Sequence, residues 1–178
     1  MNIIPTQLPD AKIIELPQFT DARGSFIKTF HATLLKEAGI SFELKESYFS
    51  VSKKEVIRGM HFQLPPHQHS KIVFCPQGAI MDVIIDLRRN SPTYGQFEMQ
   101  ELSAENHRAF YIPEGFAHGF KALTADAMTY YLVSSEYSQA HDMGIRYDSI
   151  GIDWQVDHPI LSARDLSFPA LKDFESPF

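Results

Sequence analysis

Three short segments of this chain gather side chains that are costly to bury and able to transfer protons or hold a small anion. The first is Arg58-Gly59-Met60-His61-Phe62-Gln63, followed by Lys71 at the head of an apolar run. A histidine flanked by bulky apolar residues is, taken alone, more often a hydrogen-bonded core residue than a catalyst. Arg58 and Lys71 shift that balance, because three potential cations on neighbouring strands repel one another unless an anion sits among them. Residues 58 and 61 are an odd number apart, so ideal alternation points them to opposite faces of a strand. Gly59 offers a remedy, a bulge that turns both inward.

The second segment, Pro113 to Phe120, reads as a turn into a strand with Phe116, His118 and Phe120 on one face. The two phenylalanines suit a core, and His118 between them reads as their hydrogen-bonded neighbour or as a site residue. The third is Tyr130-Tyr131, with Tyr137 six residues beyond Tyr131, for which packing and function weigh about evenly. His67 and His69, in PPHQHSK, tempt a metal reading. Metal-binding cupins follow His-x-His with a glutamate about four residues on, and here residues 73 and 74 are Val and Phe. Even with His118 the ligand set stays partial, so an exposed loop pair is the better reading. No phosphate-binding glycine loop, G-x-S-x-G turn or dinucleotide fingerprint is present.

The elements that must carry these residues read as strands. The clearest pair is KIVFC (71–75) and AIMDVIIDLR (79–88), joined by PQG. In the second, Ala79, Met81, Val83, Ile85 and Leu87 make one apolar face, while Ile80, Asp82, Ile84, Asp86 and Arg88 make a mixed one. A mixed inner face suits a barrel with a polar cavity. Residues 25–30, 48–52, 56–62, 109–113, 119–123 and 128–134 are further strand candidates. Helix is expected only at 33–40, ending at Gly39, and for a turn near 162–166. Many short strands with few helices predict an all-β sandwich or closed barrel, with a jelly roll the natural candidate.

The chain's 178 residues suffice for one domain, and we read 1–178 as a single unit. A formal charge of −6 and no basic run longer than Lys53-Lys54 or Arg88-Arg89 argue against nucleic-acid binding. No apolar run approaches the roughly 20 residues of a membrane span. The start shows no basic region followed by an apolar core, and Cys75 is the single cysteine, so a cytoplasmic protein without an internal disulfide is expected.

Taken together, the segments resemble the dTDP-4-dehydrorhamnose 3,5-epimerase family. The likeness rests on DARGSF (21–26), RGMHFQ (58–63), Lys71-Ile72-Val73, DLRRNSPTYG (86–95), LSAENHR (102–108), IPEGFAHGF (112–120), IGIDW (150–154) and LSARD (161–165). The resemblance implies a cupin-type jelly-roll barrel with a few short helices, working without metal or other cofactor. It also implies a homodimer that exchanges N-terminal strand pairing, and a nucleotide-linked 4-keto-6-deoxyhexose as substrate. On it, His61 is the general base that removes the proton at carbon 3 or 5, and Asp165 holds its ring. Lys71 stabilises the enolate oxygen at carbon 4, and Tyr131 returns a proton from the opposite face. Arg23 and Arg58 bind the diphosphate, His118 sits near the sugar and Tyr137 stacks on the base. Gln63 falls within the matching RGMHFQ stretch and is counted among the substrate-binding positions.

The chain departs from the family pattern at Glu46-Ser47-Tyr48, where Gln-Asp-Asn is usual, and at Lys28, Asp142 and Arg164, where glutamate, glutamate and lysine are usual. Most of these positions serve the nucleotide, so Lys28, Glu46, Tyr48, Asp142 and Arg164 are expected at the substrate while the base stays open among dTDP, CDP and GDP. Action at carbon 3, carbon 5 or both, 3,4-ketoisomerisation, a metal-dependent cupin and a silent nucleotide-sugar binder are the competing readings.

Overall fold

The computed structural model describes residues 1–178. Thirteen strands form two facing antiparallel sheets and one separate hairpin. The first sheet runs β1 (Asn2–Pro5), β2 (Lys12–Glu15), β10 (Arg108–Ile112), β7 (Lys71–Gln77), β12 (Ala127–Val133) and β5 (Glu46–Ser52) in spatial order. The second runs β13 (Asp142–Gly144), β6 (Ile57–Gln63), β11 (Phe116–Ala122), β8 (Ala79–Asp86) and β9 (Phe97–Ser103). The hairpin β3 (Gln18–Asp21) and β4 (Gly24–Ile27) pairs only with itself. This is the jelly roll expected.

The mixed face of β8 does point inward. Ile80 and Ile84 pack between the sheets with Val73, Phe110, Phe116, Phe120, Tyr131 and Val133, all buried. Its apolar face, Val83, Ile85 and Leu87, points outward and is buried too. Ile145, Ile150 and Trp154 from the C-terminal segment cover it, with Ile57, Met60 and Phe62 of β6 alongside. Both faces of β8 are therefore core, and each large side chain so buried contributes roughly 1.5–3 kcal/mol.

The expected strands appear with shifted ends, and the candidate at 25–30 stops at Ile27. Strands β1, β2, β3, β9 and β13 went unread: they are short, or, like β9, mix charged residues into a partly exposed sheet edge. Helix α1 (Ala32–Glu37) sits where TLLKEAGI predicted one, and His31 Nδ1 accepts from Leu34 N at 3.4 Å as its cap. Helix α2 (Ala163–Ser167) is the turn expected near 162–166.

Candidate active site

A cavity of about 440 Å³ opens between the two sheets. Strand β6 supplies Arg58, His61 and Gln63 to it, although alternation forbids Arg58 and His61 from sharing a face. The conflict is settled by the bulge: β11 pairs His118 with His61 and Phe120 with Arg58, which sets Gly119 alone against Gly59 and Met60. Gly59 and Gly119 meet at this crossing. A Cβ on Gly59 would lie 2.5 Å from Gly119 Cα, and one on Gly119 2.7 Å from Arg58 O, so no other residue fits either position.

His61 Nε2 lies 2.7 Å from Asp165 Oδ1. Asp165 is buried and does not line the cavity; it stands behind the ring. Helix α2 puts it there, with Ser162 Oγ accepting from Asp165 N at 3.0 Å as the N-cap. Gly59 N donates to Asp165 Oδ2 at 3.4 Å. Burial pushes the Asp165 carboxyl up, but the hydrogen bonds and charge from His61, with Gly59 N–H, outweigh it and hold the group below the usual carboxylate range. An ionised Asp165 accepts the Nε2 proton, which leaves Nδ1 as the basic nitrogen.

Lys71, at the start of β7, reaches across from the opposite sheet to donate to His61 O at 3.3 Å. Burial pushes its ammonium down to about 8, against the pull of Asp82 and Asp142. Tyr131 on β12 is buried, and burial, with Tyr48 and Asp82 nearby, pushes its phenol well above the usual range. It stays protonated, able to donate. His118 Nε2 meets Asp82 Oδ2 at 2.8 Å in full burial. Burial drives both toward their uncharged forms, Asp82 up and His118 down, while each partner's charge opposes the shift.

The mouth is more polar. Arg164 Nη2 lies 2.6 Å from Asp142 Oδ2, its guanidinium 4.9 Å from the centre of the Phe168 ring. Tyr137 OH donates to Asp142 Oδ2 at 3.3 Å, and Tyr137 N to Glu46 Oε2 at 2.8 Å. Arg58 donates to Ser52 Oγ at 3.1 Å and has no carboxylate partner.

Of the residues expected at the substrate, the cavity is lined by His61, Lys71, Tyr131, Arg58, Gln63, His118, Glu46, Tyr48, Tyr137, Asp142 and Arg164. Gln63 lines it but is occupied: its amide donates to His67 O at 2.8 Å and accepts from Ser138 N at 2.6 Å, tying two loops together. Arg23 and Lys28 are not brought in. They sit on and just after the free-standing hairpin, where Arg23 pairs with Asp21 at 2.6 Å. His67 and His69 are corrected from exposed to half-buried. His69 lines the cavity, its Nδ1 3.1 Å from Gln63 Nε2, and burial with Lys71 and His118 pushes it down to about 3. No group of three His, Cys, Asp or Glu side chains is arranged to hold a metal ion.

Sequence reasoning missed Asp82 and His69. Asp82 carried a signal, a carboxylate on a face already read as inward, but its pairing with His118 needed the β8–β11 register. That register sets His118 against Ile84 and Phe120 against Asp82, so the two are diagonal neighbours.

The model of the dTDP-4-dehydrorhamnose 3,5-epimerase family matches residues 5–173. Over 170 residues, 94% of each chain, the sequence is 42% identical to the dTDP-4-dehydrorhamnose 3,5-epimerase of Shigella flexneri. The backbone is similar to the crystal structure of the Bacillus anthracis dTDP-4-dehydrorhamnose 3,5-epimerase with TDP and PPi bound. There the TM-score is 0.93 at 39% identity, over 96% of this chain and 99% of that one. It is equally similar to the Legionella pneumophila dTDP-6-deoxy-D-glucose-3,5-epimerase in complex with dTDP-4-keto-L-rhamnose, with a TM-score of 0.93, 38% identity and coverage of 98% and 94%. The chain therefore belongs to the dTDP-4-dehydrorhamnose 3,5-epimerase family, isomerases that epimerise a nucleotide-linked 4-keto-6-deoxyhexose.

Proposed function

We propose that this epimerase inverts both carbon 3 and carbon 5 of a dTDP-linked 4-keto-6-deoxyhexose, without a cofactor. One observation carries the assignment of roles. His61 projects from one sheet and Tyr131 from the other, so a sugar lodged between them meets a base on one face and an acid on the other. Removal and return on opposite faces is inversion. Both carbons flank the carbon-4 ketone, whose resonance acidifies each. His61 Nδ1 takes the proton, Asp165 stabilises the imidazolium that forms, and Lys71 faces the charge growing on the ketone oxygen. Tyr131 then protonates the enolate carbon. His118, its Nε2 on Asp82, lines the wall beside the sugar.

The unpaired Arg58 suits the diphosphate, and Tyr137 with Asp142 and Arg164 forms the nucleotide end. Arg23 and Lys28 do not line their own cavity. Phe19 and Phe26 on the same hairpin are 60% and 62% exposed, which an isolated chain has no reason to tolerate twice. A homodimer in which this hairpin docks on a second copy accounts for both facts and brings Arg23 and Lys28 to the partner's nucleotide. We read the enzyme as cytoplasmic from its single, free cysteine; no helix is long and apolar enough to cross a membrane.

The test is proton NMR of the protein with dTDP-4-keto-6-deoxyglucose in heavy water. Loss of both the carbon-3 and carbon-5 proton signals, with inverted product, is expected. Exchange at one carbon reduces the enzyme to a mono-epimerase, and exchange only with CDP- or GDP-linked sugars overturns the base.

A further inference from the structure

Tyr48 lines the cavity, yet the proton-transfer scheme gives it no task. It lies directly across the β5–β12 ladder from Tyr131. The two rings stack, with centroids 4.8 Å and planes 25° apart. On its other ladder Tyr131 faces Val73, a side chain with no ring to stack. His118 touches the Tyr131 ring only edge-on, at 5.9 Å. Strand β5 is moreover the edge of its sheet, so no further strand confines Tyr131 from that side. Tyr48 is thus the one flat surface against which the Tyr131 ring is held.

We infer that Tyr48 is a positioning residue: its stacking on Tyr131 fixes where the phenol delivers a proton, and so sets how often proton removal ends in inversion. The inference rests on the reading of Tyr131 as the acid. In that step the enolate electron pair forms the new C–H bond as the Tyr131 O–H bond breaks. The carbon-4 carbonyl re-forms, and solvent reprotonates the phenolate. A phenol free to swing from this alignment loses the race to His61, which returns a proton to the face it came from. The role belongs to the ring of Tyr48 and not to its hydroxyl. The residue as a whole is 41% exposed, but partial desolvation in the cavity wall, with Glu46 and Asp142 nearby, pushes that hydroxyl up to about 12, so it is protonated at neutral pH and adds no charge to the wall.

The experiment follows deuterium from heavy water into recovered substrate and into inverted product, and compares the ratio of the two rates. Wild type, Tyr48→Phe, Tyr48→Leu and Tyr131→Phe are measured with dTDP-4-keto-6-deoxyglucose, and Tyr48→Met replaces the leucine variant if that one does not fold. Tyr48→Phe keeps the stack and should keep the wild-type ratio. Tyr48→Leu should raise exchange relative to inversion by about 3- to 10-fold, the range an aromatic pair is worth, with KM within about twofold. General structural damage lowers both rates together and leaves their ratio alone. An unchanged ratio in Tyr48→Leu, beside a raised one in Tyr131→Phe, sinks the positioning role while the acid stands. An unchanged ratio in Tyr131→Phe removes the acid assignment itself. Loss of inversion in Tyr48→Phe makes Tyr48 the acid, which also overturns the inference.

Discussion

Asp165→Asn removes one charge from behind the proposed base without touching the cavity wall. The side chain of Asp165 is 4% exposed and that of His61 29%, so their contact is partly shielded from water. With charge centres about 4 Å apart and an effective dielectric near 20, an imidazolium gains about 4 kcal/mol from the carboxylate. The open side of His61 lets solvent screen part of this, leaving about 2 kcal/mol in the transition state, or about 30-fold in rate. A second loss adds to the first. Asp165 accepts from His61 on Oδ1 and from Gly59 N–H on Oδ2. An asparagine has one oxygen for these two donors, so its NH2 must oppose one of them. The combined expectation is a kcat/KM about 30- to 100-fold lower, carried by kcat, with KM within a few-fold because Asp165 does not face the substrate. Steady-state epimerisation and the rate of deuterium wash-in should fall together, since both need His61 to accept a proton. A loss below about threefold, or one confined to KM, refutes the dyad.

Two further outcomes follow from the geometry. Lys71 is held down to about 8, so it is a cation below that pH and loses its proton above it. The kcat/KM profile, which reports the free enzyme, should therefore fall above pH 8 by about tenfold per unit, and a flat profile to pH 9.5 removes Lys71 from the role of enolate stabiliser. Asp86 is fully buried and accepts from Arg88 N, Nε and Nη2, Ser91 Oγ and Thr93 Oγ1. Asp86→Ala strands these donors and should cost about 2–4 kcal/mol, a drop of about 5–15 °C in Tm by calorimetry, with kcat preserved at low temperature. An unchanged Tm counts against the network as a staple of the barrel.

What the sequence made legible followed from local rules. Alternation along β8 separated the inward face from the outward one, because the side-chain period of a strand is fixed at two. The parity conflict between Arg58 and His61 points to a bulge at Gly59, and only a glycine permits the backbone approach to Gly119 found there. Pairings between distant segments stayed hidden. His118 finds Asp82 through a register that only the assembled sheet defines. His69 looked like a loop residue because its burial comes from the 135–138 loop folding over it, through Ser135 and Gln63. Arg23 and Lys28 were assigned to the substrate by motif, and motif says nothing of which copy's cavity a hairpin reaches.

The placement of carboxylates explains how a cavity with so many cations stays ready for an anion. Asp165 stands behind His61 and Asp82 behind His118, neither lining the cavity, so each imidazole is held without blocking its open side. The two carboxylates that do reach the wall are engaged at the mouth, Glu46 by Tyr137 N–H and Asp142 by Arg164 and Tyr137 OH. Arg58 and Lys71 are left without a carboxylate partner within ion-pairing distance, donating only to a serine hydroxyl and a backbone carbonyl. A carboxylate within ion-pairing distance of Arg58 or Lys71 would pair it internally. The diphosphate and the enolate would then have to displace an ion pair before binding. The barrel keeps its carboxyl groups behind the histidines and at the rim, and that arrangement leaves its positive charge for the substrate.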